Sequence, residues 1–75
     1  MRKHQERFVQ IGLNIAFYRK MRGLTQMELA EKARISRTHM SNIEAPNMDT
    51  SLSIDTLFEI ADALAVEPAK LLELR

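Results

Sequence analysis

Apolar residues recur along this chain at helical rather than alternating spacing, and short polar breaks divide them into five runs. Phe8, Ile11, Ile15 and Tyr18 lie three or four residues apart, which predicts a first helix over roughly Gln5 to Met21. Gly12 falls inside this run as a close-packing position. Gly23 follows Arg19, Lys20 and Arg22, where a left-handed helix end and dipole-favoured cations are expected. Thr25-Gln26-Met27-Glu28 opens a second helix with a capping box, each side chain satisfying an amide that the helix leaves unpaired. That helix ends near Lys32 or Ala33, with Leu29 and Ala30 turned inward. Ser36 caps a third, Arg37 to Glu44, with Met40 and Ile43 inside.

Ala45 to Leu52 contains Pro46, Asn47, Asp49, Thr50 and Ser51 and reads as an irregular loop. Ser53 then caps a fourth helix, whose Ile54, Leu57, Phe58, Ala61 and Leu64 form a wide apolar stripe. Pro68 suits the first turn of a last short helix reaching Leu74, with Leu71, Leu72 and Leu74 available for packing. Helix 1 carries a second stripe of Val9, Leu13, Ala16 and Phe17, which marks either an enclosed helix or a surface for a partner. Enclosure in the core is the expectation. The pattern shows no strand and no internal repeat, so residues 1–75 are read as one all-α domain of five helices.

Composition narrows the class. The 75 residues are 45% apolar, too many for a disordered tail, yet no run approaches a membrane span. The opening MRKHQERFVQ lacks the apolar stretch of a signal peptide, and cysteine is absent, which excludes disulfides and thiolate zinc sites. A soluble intracellular domain is expected. The net charge of +1 hides a gradient. Met1 to Gly23 carries +5, Leu24 to Glu44 is balanced, and Ala45 to Arg75 carries −4. A polyanion would approach the first half.

Catalysis finds no support: there is no Ser-His-carboxylate grouping and no Gly-rich phosphate loop. His4 and His39 have neither carboxylate partners nor metal-ligand spacing. No enzyme activity, metal, cofactor or small-molecule ligand is expected. Two short helices joined tightly around Ala33-Arg34-Ile35 instead make a helix-turn-helix arrangement, whose second helix can enter a major groove about 12 Å wide. With Met40 and Ile43 inside, Arg37, Thr38, Ser41 and Asn42 face outward. Arg can donate twice to a guanine edge and Asn can pair with adenine. Gln26, beside the free amides of a helix N-terminus, is placed for a phosphate.

The run LTQMELAEKARISRTHMSNIE, Leu24 to Glu44, resembles the core of the Cro/C1-type (XRE-like) helix-turn-helix DNA-binding family. The likeness extends through IGLNIAFYRKMRG before it and SIDTLFEIADALAVEPAKLLEL after it, covering Ile11 to Leu74. Small stand-alone regulators are most similar, among them restriction–modification controller proteins and compact phage repressors. The resemblance implies a five-helix, lambda-repressor-like fold. It implies a dimer that binds a pseudo-palindromic operator on double-stranded DNA as repressor, activator or both.

Position by position, it implies base contacts from Arg37, Thr38, Asn42 and His39. Backbone contacts would come from Gln26, Thr25, Ser36, Ser41 and Asn47, and Arg19 would pair with Glu44. The acidic, leucine-bearing C-terminal half is the expected pairing surface, with Ile60, Leu64, Val66, Leu72 and Leu74 as candidates.

Two departures stand out. Arg34 occupies the turn position usually held by glycine, and the loop Ala45-Pro46-Asn47-Met48-Asp49 lacks the usual bases and runs two residues long. Asp49 would repel a phosphate. Pro46 and Asp49 in this loop sustain an alternative in which the domain is an interaction subunit or antitoxin-like protein. Residues 1–8, with Arg2, Lys3 and Arg7, are either a phosphate-tracking arm or a solubilising end.

Overall fold

The computed structural model describes residues 3–45 and 50–73, which form five helices. They are α1 (Gln5–Met21), α2 (Gln26–Ala33), α3 (Arg37–Glu44), α4 (Ile54–Leu64) and α5 (Pro68–Leu71). The first four follow the pattern read from the sequence. The fifth stops at Leu71 instead of continuing to Leu74, with Leu72 already closing the turn onto the carbonyl of Ala69.

Side chains close to each start define α2, α3 and α4. The hydroxyls of Thr25, Ser36 and Ser53 accept hydrogen bonds from the backbone amides of Glu28, His39 and Thr56. In α2 the Glu28 carboxylate also accepts from the Thr25 amide at 2.8 Å, completing the capping box.

Three helices end by one device. After α1, α2 and α4 the chain turns through left-handed residues Gly23, Arg34 and Ala65. At each turn the next amide reaches back five residues: Leu24 to Arg19, Ile35 to Ala30 and Val66 to Ala61. Leu24, Ile35 and Val66 all pack against the core. That apolar contact helps hold Arg34 and Ala65 in a conformation costing a non-glycine residue about 1–2 kcal/mol.

Ile15, Leu29, Met40, Ile60, Leu64 and Leu71 form a core drawn from all five helices and fully withdrawn from water. α2 packs on α3 and α4, while α1 spans α3, α4 and α5. Gly12 is where α1 meets α3: a Cβ there would fall on the carbonyl oxygen of Ile43. None of the described helices is long and apolar enough to cross a membrane.

Candidate nucleic-acid interface

A buried carboxylate organises the helix-turn-helix. Glu44 ends α3, where the helix dipole disfavours an anion, and its side chain is only 5% exposed. Arg19 of α1 meets it with two prongs, Nε donating to Oε2 at 2.8 Å and Nη2 to Oε1 at 3.0 Å. The third guanidinium nitrogen, Nη1, donates to the Leu24 carbonyl at 2.8 Å, and Gln26 Nε2 donates to Glu44 Oε1 at 3.0 Å. Helices α1, α2 and α3 are thereby tied at one point. Removing one partner would leave a buried charge uncompensated, at a cost of about 3–5 kcal/mol.

The opposite end of α3 is open. Arg37 and Thr38 are exposed at its first turn, and Ser41 and Asn42 are half-buried on the following turn. With about 100° per residue, these four share one arc, on the far side from the buried Met40 and Ile43. His39 lies beyond the edge of that arc and is half-buried. The Ser36 hydroxyl accepts from the His39 amide at 2.9 Å, so its first role here is to start the helix. The site therefore consists of a guanidinium, two hydroxyls and a carboxamide on one outer face, held from behind by an ion pair. Such a face can donate to and accept from base edges.

At the start of α2, Glu28 takes the Thr25 hydroxyl, while the amides of Gln26 and Met27 belong to the helix's unpaired first turn. Gln26 sits beside them with one Nε2 hydrogen engaged by Glu44. Its position is thus set by the same carboxylate that braces α3. Asn47, along with Pro46 and Asp49, lies outside the described residues.

The pairing surface read from the sequence needs correction. Ile60 and Leu64 are fully buried within this chain, because α4 turns that side of its stripe onto Ile15 and Leu29 in the core. They cannot also meet a second copy without unfolding the domain. Val66 is half-buried against the same core, Leu72 is exposed, and Leu74 lies outside the described residues. A second correction concerns the stripe on α1. Leu13 and Phe17 are exposed rather than enclosed, since α3, α4 and α5 cover the other sides of the helix.

Two supporting residues escaped the sequence reading. Asn14 is buried and its Nδ2 donates to the carbonyls of Leu71 at 3.0 Å and Glu73 at 2.7 Å, tying the C-terminal segment to α1. A carboxamide inside an apolar helical run was the available signal. Arg22 Nε donates to the Leu64 carbonyl at 2.7 Å, so this cation closes the end of α4 as well as following α1.

With this geometry established, comparison with known proteins gives a consistent answer. The helix-turn-helix family matches residues 15–71. An immunity repressor protein of Bacillus phage phi105 is 44% identical over 57 residues, 76% of this chain and 38% of the repressor. The HTH-type transcriptional regulator SinR of Bacillus subtilis is 40% identical over 63 residues, 84% of this chain and 56% of SinR. A crystal structure of SinR in complex with DNA superposes with a TM-score of 0.77, covering 84% of this chain and 98% of that one. The restriction-modification controller protein C.AhdI from Aeromonas hydrophila gives a TM-score of 0.79 at 26% identity, over 85% of this chain and 94% of the controller. This chain belongs to the helix-turn-helix family, and within it to the Cro/C1-type, XRE-like domains with the lambda-repressor-like fold. It spans little more than half the length of SinR and less than half that of the phage repressor.

Proposed function

We propose that this chain binds double-stranded DNA in a sequence-specific manner as part of a dimeric transcriptional regulator. Each α3 lies in the major groove of one half of a pseudo-palindromic operator. What carries this reading is the outer face of α3, with Arg37 and Thr38 exposed at one end and Glu44 held by Arg19 and Gln26 at the other. The presence of DNA in the related SinR structure supports it.

In this reading Arg37 and Asn42 read base edges, with Thr38 and His39 beside them. The start of α2, with Thr25 and Gln26, and the hydroxyls of Ser36 and Ser41 meet phosphates, as does Asn47. The protein acts by occupancy, blocking polymerase or recruiting it according to where the operator lies. A single module of this size reads too little DNA for high specificity, and twofold pairing doubles the contacts.

Selection of bound duplexes from a random pool tests the proposal. The expected product is a pseudo-palindrome with half-site centres roughly 34–36 Å apart, bound more weakly as salt rises. A pool that shows no enrichment would reject DNA reading and favour the interaction-subunit alternative.

A further inference from the structure

Three turns of this fold share one backbone device and differ in the residue placed there. Gly23, Ala65 and Arg34 all have positive φ, at 71°, 58° and 63°. Glycine takes this conformation freely, and alanine adds only a methyl group. Arginine gives the turn nothing that these two lack. The dipole at the end of α2 favours a cation here, but by less than the left-handed backbone costs it.

The Arg34 side chain is not used by the fold either. It is exposed and makes no ion pair among the described residues, although exposed Glu31 lies three residues before it. The arginines at the end of α1 differ in this respect. Arg19 is held by Glu44 and the Leu24 carbonyl, and Arg22 by the carbonyls of Leu64 and Ala65.

Its neighbours set its direction. Ala33 is buried and Ile35 packs on the core, so both turn inward and leave Arg34 outward between them. Ser36 then starts α3, and Arg37 opens the outer arc three residues beyond Arg34. The eight residues of α2 span about 12 Å. That is close to the major-groove width of about 12 Å. With the start of α2 against phosphates on one side of the groove, its end comes near those on the other.

We propose that Arg34 is a further DNA contact, its guanidinium binding a backbone phosphate across the groove from the one met by Gln26. This rests on the DNA-binding reading above and adds to it a charge-assisted contact that is blind to sequence.

Salt titrations of the selected duplex with Arg34→Lys, Arg34→Asn and Arg34→Gly test it. Asn and Gly accept the left-handed turn without a charge, whereas Lys keeps the charge. The Asn and Gly variants should melt at or above the parent's temperature, since the turn is relieved. They should nevertheless bind about tenfold more weakly, with the ranking of duplexes unchanged. Their slope of log affinity against log salt should become shallower by about one for each bound chain. The Lys variant should keep the parent's slope.

Asn and Gly variants with the parent's affinity and salt slope would overturn the Arg34 contact and leave the DNA reading intact. So would a Lys variant whose slope falls as far as theirs. A parent that enriches no sequence, yet binds duplexes with a slope that Arg34→Gly reduces, would keep the contact and reject sequence reading. A parent that binds no duplex would overturn both.

Discussion

Helices α2 and α3 are both eight residues long and both begin at a capping hydroxyl, yet they are held by different means. α2 is defined by its own neighbourhood: Thr25 and Glu28 close its start, and the left-handed turn at Arg34 closes its end. α3 shares the serine cap, but its end depends on Glu44 meeting Arg19 from 25 residues away and Gln26 from 18. A helix that presents side chains to a partner gains from this. Its outer face stays free while distant residues fix its orientation, so recognition groups and bracing groups need not compete for the same positions. α2 has no such division of labour and serves as the support.

The sharpest way to break the comparison is Arg19→Ala. It should lower stability by about 3–5 kcal/mol by leaving Glu44 buried and unpaired. Thermal melts of variant and parent at equal temperature would show that α3 is not held from outside. Next is Gly12→Ala, which forces α1 away from the Ile43 carbonyl and should cost about 1–3 kcal/mol by overpacking, read in the same melts.

Arg37→Ala addresses the other end of α3. It should leave the melt unchanged while weakening operator binding by about 1–3 kcal/mol and relaxing preference at one base pair. Titration of the selected duplex and its point variants checks this, and an unchanged ranking of sites would remove Arg37 from base reading. The smallest effect belongs to Thr25→Ala. Losing the cap should cost about 1 kcal/mol of stability, with the site ranking preserved in the same titrations, because the defect stays local to α2.

How much was legible in the sequence follows the same division. The starts of α2, α3 and α4 were readable from Thr25, Ser36 and Ser53, because a hydroxyl and the amide it accepts from lie three residues apart. Gly23 announced its left-handed turn. Arg34 did so only through the resemblance, and Ala65 gave no residue-level signal, since its conformation relies on Val66 finding the core.

The outer arc of α3 could be read from helical spacing once Met40 and Ile43 were placed inside. The role of Gln26 could not. Spacing put it beside free amides, while its bond to Glu44 exists only because α2 and α3 cross where they do. The early end of α5 is of the same kind: Asn14 draws the backbone carbonyls of Leu71 and Glu73 toward α1.

Local chemistry in the sequence by itself determined that this chain forms five helices, where α2, α3 and α4 begin, and which residues the third turns outward. Caps, turns and periodicity act over a few residues, so the chain carries that information directly. Tertiary structure alone decided which of several similar apolar residues enter the core. Ile15 and Leu13 are two residues apart on α1, and one is buried while the other faces water. Leu57 and Phe58 divide in the same way on α4. An apolar side chain states that burial is favourable and not in which direction. That direction is set by the approach of the other helices.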